Sequence, residues 1–216
     1  MIRTTLLYTL LSILLIPIAM PSTGYAHPAM IKKMLASHAL WLNTYGLVGK
    51  RANFMEMDLS GHNMIHVELA FAELRISNLS NIDLRWANLC NATLSGSNFS
   101  GADLGEANLI EATLTAAYLN GTDLTGANLK GASLAMADLS GASLRFANLT
   151  NADLSGADLR EVDLTGAILD GTNLQSARRL TIPMLSKVET LHGSNLNPLL
   201  MQALQDFAPH LFQPPE

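Results

Sequence analysis

A strict period of five residues runs through more than half of this chain. Every fifth residue from Phe54 to Leu174 is Leu, Phe or Met, and these 25 positions contain no polar residue and no change of phase. A second column, two residues earlier, holds Ala at 16 positions and Ser or Thr at four more. The repeating unit reads Ala-Asp/Asn-Leu-x-x. It fits neither a helix nor a long strand, whose faces recur every ~3.6 and ~2 residues.

The spacing predicts a backbone that turns after every few residues. The small residue and the Leu are two apart, so in an extended segment their side chains point to the same face. The other two positions are rich in Ser, Thr, Gly and Asn, which form turns. Three extended residues and a bend, repeated, would wind the chain into a prism with the Leu column inside. The predicted core therefore includes Leu84, Leu89, Leu104, Leu124, Leu144 and Leu164.

Units such as Ala102-Asp103-Leu104 resemble those of the pentapeptide-repeat family. The resemblance covers residues 52–176 and implies an all-β solenoid, a right-handed quadrilateral β-helix with four pentapeptides per coil. Residues 20 apart should then stack, and about six coils should reach a height of roughly 30 Å. One column reads Gly61, Asn81, Gly101, Gly121, Gly141 and Glu161. We expect the most regular type II turns at that corner, because Gly and Asn tolerate positive φ.

Residues 1–26 are predicted to be a secretory signal peptide. An apolar stretch from Leu6 to Met20 follows a basic residue, and Gly24 and Ala26 place small residues where a signal peptidase requires them. The stretch is short for a membrane span, so we expect cleavage after Ala26 rather than retention as an anchor. The mature chain would then be periplasmic, in a comparable lumen, or secreted.

Helical caps are predicted on both sides of the repeats. In residues 27–51, Met30, Met34 and His38 recur at helical spacing, which favours an amphipathic helix across the first coil. An open solenoid end otherwise exposes unpaired backbone. This segment resembles a lead-in common in bacterial pentapeptide-repeat proteins.

Residues 177–216 resemble the carboxy-terminal cap of the same proteins. We expect a short helix from Thr181 to about Lys187, an irregular segment from Glu189 to Leu196, and a second helix from Asn197-Pro198 to about Phe207. The predicted apolar face of the second helix comprises Leu199, Leu200, Ala203, Leu204 and Phe207. In some family members the helix after the prism forms a dimer interface, so both a monomer with a simple cap and a homodimer remain open.

The charge is distributed unevenly along the chain. Residues 52–176 carry 15 acidic and five basic side chains, a net charge of −10, whereas the mature flanks are basic. Some family members are acidic rods that mimic duplex DNA and inhibit a DNA-binding enzyme, and this is one alternative function. The charge is spread evenly over the four predicted sides, and a signal peptide would remove the protein from such a target. We expect no nucleic-acid partner.

No catalytic constellation is visible, and we expect neither an enzyme nor a cofactor. The period fixes the Ser and Asp positions, and no His between Arg75 and Thr190 can serve as their base. A second alternative is a metal-binding envelope protein, since Met and His bind copper. The candidate ligands are Met55, Met57, His62, Met64 and His66. They fall on different sides of the predicted prism, which favours an irregular packed end without a metal site. The single thiol left after cleavage, Cys90, has no internal partner for a disulfide.

Large apolar residues at outward positions are the possible partner contacts: Ile65, Phe71, Ile76, Trp86, Ile110 and Phe146. Either the amino-terminal helix or the loop from Gly46 to Lys50 covers some of them, or they form a contact patch. The sequence thus predicts a non-enzymatic binding or scaffold module of the cell envelope that docks an unidentified protein partner through the faces or ends of its solenoid.

Overall fold

The computed structural model describes residues 24–214, and its central part is a four-sided prism of stacked coils. Parallel β-bridges join the residue that precedes the Leu of each repeat to its equivalent 20 positions later, from Asn53 with Glu73 to Asp158 with Arg178. Each pentapeptide contributes one bridged residue and no longer strand. The prediction that four repeats close one coil is confirmed.

Every repeat satisfies its backbone groups in the same way. The N–H of Leu59 donates to the carbonyl of Asn78 in the next coil (2.8 Å), and the N–H of Asn78 donates back to Met57 (2.9 Å). Each corner is closed by a bond across the turn, as from the N–H of Ala102 to the carbonyl of Phe99 (2.9 Å). The prism therefore consists of four parallel ladders joined by hydrogen-bonded turns.

The Asp/Asn column has a structural role within each repeat. The Oδ1 atom of Asp103 accepts the N–H of Gly105 at 3.0 Å, and Asn148 accepts that of Thr150 at the same distance. This N–H has no partner in the ladder, so a short acceptor side chain two residues earlier satisfies it. The requirement explains why Asp and Asn dominate the column.

All four corners have the same left-handed turn. The second turn residue has a φ between 54° and 68° at each of the 25 positions from Glu56 to Ser176. Even the β-branched Ile76 adopts a φ of 59°, in a region that such residues normally avoid. The expectation that one Gly-rich corner carries the most regular turns is therefore wrong, because the ladders impose nearly the same positive φ on every corner.

The interior is apolar and continuous. The six leucines named from the sequence are between 0% and 2% exposed. Burying each Leu contributes ~1.5–3 kcal/mol, so the stacked column stabilises the whole prism. Hydroxyls in the small column are satisfied by backbone carbonyls, as Thr122 Oγ1 is by Phe99 at 2.8 Å.

Helix α1, Pro28–Asn43, lies at the amino-terminal end. His27 caps it, because its Nδ1 accepts the N–H of Ala29 at 3.2 Å. On the buried side of the helix, His38 Nδ1 accepts the N–H of Ala52, the first residue of the repeats, at 3.1 Å. The helix thus supplies a polar group to the exposed ladder end.

The residues before α1 also pair with the first coil. Tyr25 forms a parallel bridge with Asp58, and Ala26 is fully buried, with its N–H donating to the Asp58 carbonyl at 2.7 Å. Both residues belong to the segment 1–26 that was predicted from the sequence to be a signal peptide. The remainder of that segment, residues 1–23, lies outside the described residues.

The carboxy-terminal cap contains helix α2, Ile182–Leu185, helix α3, Pro198–Phe207, and a 3-10 helix, Pro209–Phe212. The prediction of an irregular segment from Glu189 to Leu196 is wrong. Thr190 pairs with Ile168 and Asn195 with Asn173, each 22 residues apart, and the intervening Leu191 is fully buried. The repeat resumes after α2 with a shift of two residues.

Helix α3 presents a narrower apolar face than predicted. Leu204 is buried, whereas Leu199 and Phe207 are exposed. The 3-10 helix was not predicted. Its Leu211 is buried, and the Leu211 carbonyl accepts the N–H of Leu191 at 2.6 Å. This hydrogen bond joins the 3-10 helix to the carboxy-terminal end of the solenoid.

Candidate binding surface

One wall of the prism carries a column of stacked asparagines, and we call it the asparagine face: Asn88, Asn108, Asn128 and Asn148. The Nδ2 of Asn108 donates to the Oδ1 of Asn88 at 3.1 Å, and Asn88 in turn donates to Glu68 at 2.7 Å. Each Oδ1 also accepts the backbone N–H two residues on. The result is a polar column with fixed amide orientations.

Five of the six predicted contact residues border the asparagine face. They are Ile65, Trp86 and Phe146 along one edge and Phe71 and Ile110 along the other. Ile76 lies on a different corner, diagonally across the prism from Trp86, and is not brought together with the others.

Most of these side chains remain accessible in the single chain. Trp86 is 49% exposed and Phe146 is 59% exposed, and Phe71 and Ile76 are also exposed, whereas Ile65 and Ile110 are half-buried. Helix α1 partly covers Phe71 through Trp41, with ring centroids 6.4 Å apart in an edge-on arrangement. The expectation that the cap might cover both Phe71 and Trp86 is thus only partly met.

Two arginine–aromatic pairs occupy the same corner. The guanidinium carbon of Arg85 lies 5.6 Å from the centre of the Trp86 ring, and that of Arg145 lies 5.3 Å from the Phe146 ring. The pairs are three coils apart, about 14 Å along the axis. Both are cation–π contacts. We define them as the arginine–aromatic edge. This pairing was not predicted, although the dipeptides Arg-Trp and Arg-Phe recur 60 residues apart in the sequence.

Acidic side chains hold both guanidinium groups in place. Arg85 binds Asp83 at 2.7 Å, and this hydrogen bond lowers the pKa of the carboxyl. Arg145 binds Asp163 at 3.0 Å. The Thr165 hydroxyl and then Arg145 lower the pKa of Asp163 to about 2. Each carboxylate therefore stays ionised over the neutral range and keeps its arginine beside the aromatic ring.

The Met and His residues of the first coil do not converge. Met57 and Met64 are buried, His62 stacks on Tyr25 with centroids 4.6 Å apart, and His66 stacks on Trp86 at 5.1 Å. Across residues 24–214, no group of three His, Cys, Asp or Glu side chains is arranged to hold a metal ion.

The free thiol is a half-buried group at the edge of the asparagine face. Cys90 lies two residues after Asn88 in the same repeat, and its Sγ accepts from Asn91 Nδ2 at 3.2 Å.

The family model for pentapeptide repeats matches this chain in eight copies, at residues 68–105, 77–115, 107–145 and 142–178. These matches together span just over half of the 216 residues. The chain belongs to the pentapeptide-repeat family. Its fold is the right-handed quadrilateral β-helix of that family.

Several solved pentapeptide-repeat structures are similar to the chain. Rfr23 from the cyanobacterium Cyanothece 51142 is 31% identical over 49% of this chain and 85% of its own, with a TM-score of 0.40. HetL from Nostoc sp. strain PCC 7120, involved in heterocyst differentiation regulation, is 30% identical over 72% and 92%, with a TM-score of 0.21. A pentapeptide-repeat protein of the Arabidopsis thaliana thylakoid lumen is 20% identical over 73% and 77%, with a TM-score of 0.27. No curated protein gives a significant match.

Pentapeptide-repeat proteins are generally non-enzymatic structural or binding modules, and the match indicates no catalytic family. Between residues 24 and 214, none of the helices has both the length and the apolar composition needed to cross a bilayer.

Proposed function

We propose that this protein is a non-enzymatic scaffold of the cell envelope that docks a protein partner along the asparagine face. The observation that carries the proposal is the arginine–aromatic edge, where Arg85–Trp86 and Arg145–Phe146 repeat on one corner. Trp and Arg are the residue types that most often dominate binding energy at protein interfaces.

The rigidity of the prism supports this assignment. The backbone at Trp86 and Phe146 is fixed by the ladder, since their N–H groups donate to Gly105 and Thr165 of the next coil at 3.0 and 2.9 Å. The aromatic rings are therefore held in position before a partner arrives, which lowers the entropic cost of binding. The partner would bury the exposed rings, and the asparagine amides on the adjoining wall would supply hydrogen bonds to it.

A comparison of matched variants tests this proposal. The protein and its Trp86→Ser, Phe146→Ser and Tyr118→Ser variants are used for affinity capture from an extract of the native envelope. Tyr118 is the control. Its exposed fraction, 56%, is similar to the 59% of Phe146, but it lies on the wall opposite the asparagine face. We expect Tyr118→Ser to retain the partner. Trp86→Ser and Phe146→Ser should each bind it at least about tenfold more weakly, a loss of about 1.4 kcal/mol or more in binding free energy. Equal capture by all four proteins would refute the asparagine face as the docking surface.

We also propose that the protein is exported and processed near Ala26. The pairing of Tyr25 and Ala26 with Asp58 favours cleavage after Gly24, because cleavage after Ala26 would remove a fully buried residue and a ladder bond. Ser22 and Gly24 also satisfy the small-x-small rule of signal peptidases. Amino-terminal sequencing of the mature protein distinguishes the two sites, and an intact amino terminus in the cytoplasm would contradict export.

A homodimer through helix α3 is the proposed oligomer, supported by the exposed Leu199 and Phe207. Light scattering should give twice the mass of one chain, and Leu199→Ser with Phe207→Ser should give a monomer. A monomeric unmodified protein would leave α3 as a cap only.

A further inference from the structure

The amino-terminal end of the solenoid displays a group of exposed apolar side chains. The turn that connects α1 to the first coil, residues 44–49, is here called the apex loop. Tyr45 is 97% exposed and Leu47 is 87% exposed, and both Val48 and the adjoining Leu40 of α1 are exposed as well. Four large apolar groups in one short stretch make a contiguous surface of the kind that contacts a partner or a membrane.

The apex loop is held by internal hydrogen bonds and does not fray. The Thr44 hydroxyl donates to the Leu40 carbonyl (2.6 Å) and accepts the N–H of Val48 (2.9 Å), and the N–H of Gly46 donates to Trp41 (2.8 Å). The loop therefore holds its apolar side chains in water in a defined arrangement, which is unfavourable unless something covers them.

Gly49 brings the loop against the helix. It has a φ of 82°, and a Cβ at this position would overlap the backbone of α1 at Ser37 and Trp41. The close approach places Gly49 beside Leu40, since the same Cβ would also meet the Leu40 Cβ at 2.9 Å. The end of the loop that carries Val48 therefore lies next to the exposed Leu40 of the helix.

The segment that carries the apex loop has basic but no acidic side chains. Residues 24–55 contain no Asp or Glu but four basic residues: Lys32, Lys33, Lys50 and Arg51. Arg51 lies 3.6 Å from Glu73, whereas the three lysines are exposed. The N–H of Lys50 donates to the Ser37 hydroxyl at 2.9 Å, so this lysine begins next to the exposed side of α1.

Lys33 shares that side of the helix with Leu40. The two residues are seven positions apart, which is two turns or roughly 10 Å along the helix. The carboxylates nearest in space belong to the first two coils, where Glu73 binds Arg51 and Glu68 acts on His38 of the helix. The apolar loop itself contains no acidic residue and is flanked by lysines.

We propose that the apex loop docks this end of the protein on an anionic lipid bilayer. Tyr45, Leu47 and Val48 enter the headgroup region, and Lys33 and Lys50 contact lipid phosphates. Apolar insertion and electrostatic attraction together give stable peripheral binding, and neither suffices alone. A protein partner fits less well, because lysine is depleted from protein interfaces. The acidic solenoid points away from the surface, which avoids repulsion by the anionic headgroups. The inference does not depend on the asparagine face.

Vesicle sedimentation tests the proposal with the mature protein. We expect binding to vesicles of phosphatidylcholine with phosphatidylglycerol, weak binding to phosphatidylcholine alone, and loss of binding at high salt. Leu47→Asp should reduce the partition coefficient at least about tenfold, and Lys50→Glu at least about fivefold. The control Tyr118→Ser removes another exposed large side chain (56% exposed) from a side wall outside the asparagine face, and it should bind as the unmodified protein does.

Three outcomes would overturn the proposal. They are no binding to phosphatidylglycerol vesicles, equal binding by Leu47→Asp and the unmodified protein, and a dimer of the unmodified protein that Leu47→Asp converts to a monomer, which would assign the loop to a second copy of the chain. Circular dichroism of each variant should show the unmodified thermal midpoint, since the changed side chains are exposed.

Discussion

The interior and the corners of this solenoid follow the same five-residue period but tolerate substitution very differently. The inward column holds only Leu, Phe or Met at 25 positions, whereas the second turn position accepts residues as different as Gly, Glu, Ile and Trp. All of the latter adopt nearly the same left-handed φ. The interior therefore determines the fold, and the corners follow the geometry that the ladders impose.

The corners nonetheless interact with one another along the axis. Large residues at one corner pack over a glycine in the next coil, as Phe146 does over Gly166 and Glu106 over Gly126. At Gly121 and Gly141 a Cβ would meet nothing within 4 Å. Variation at a corner is thus free at some positions and coupled to the next coil at others.

The largest expected effect is on the free energy of unfolding, in a comparison of an interior residue with the corner residue that follows it. Leu124→Asp should lower the free energy of unfolding by more than about 4 kcal/mol, because it removes a buried Leu and introduces an unpaired charge. Thr125→Asp should change it by less than about 1 kcal/mol. Chemical denaturation measures both, and similar losses for the two variants would contradict the inward assignment of the Leu column.

A second prediction compares two glycines with the same φ of 68°. Gly141→Ala should cost about 1–2 kcal/mol, the penalty of a left-handed non-glycine residue. Gly166→Ala should cost at least ~1 kcal/mol more, because its Cβ would lie 2.5 Å from the Phe146 ring. The excess should disappear in a Phe146→Ala background, as measured by a double-mutant cycle. An unchanged excess would show that the two coils are not coupled at this corner.

A third prediction concerns His38, the buried polar residue of helix α1 at the amino-terminal end of the interior. Burial lowers the pKa of His38 below its ordinary value of 6.5, opposed by the Ala70 backbone and Glu68, while Arg51 adds to the lowering. The neutral ring is thus favoured in the folded state, and its contribution to stability is complete above pH 6.5. It is lost as the pH falls through the lowered pKa.

Acidification below pH 6.5 should therefore lower the thermal midpoint, and a His38→Gln variant should show a smaller dependence on pH in the same range. Identical pH profiles for the two proteins would exclude His38 as the titrating group.

The smallest effect is expected on the outer surface. Arg145→Ala should raise the pKa of Asp163 from about 2 toward its ordinary value of 3.8, because it removes a hydrogen bond and a positive charge. The carboxylate contributes its stability above pH 3.8 and loses it as the pH falls toward 2. Both side chains are about two-fifths exposed, so we expect less than ~0.5 kcal/mol at neutral pH. Carbon-detected NMR titration gives the pKa, and an unchanged value would show that Thr165 alone holds it down.

The sequence predicted the repeat fold because the period itself encodes it. Its failures lie where the period is interrupted. Leu191 and Leu196 are five residues apart, but a shift of two residues and the short helix α2 hid the resumption of the repeats. Tyr25 and Ala26 escaped notice for a similar reason, since two residues cannot display a period.

The candidate surfaces were predicted less completely than the fold. The period places Trp86 and Phe146 on one corner, and the structure adds the arginines that pack on their rings. The exposed apex loop was not predicted, because Tyr45, Leu47 and Val48 resemble cap residues that would pack onto the first coil.

The sequence by itself determined the inward column, because apolar side chains are buried with a strict period of five residues. The number of walls and the stacking of residues 20 apart were implied by the resemblance to the pentapeptide-repeat family, and the bridges confirm them. Only the tertiary structure decided which outward side chains stay exposed. Exposure depends on contacts between segments remote in sequence, such as Trp41 with Phe71 and Gly49 with Ser37, and no local period encodes such contacts.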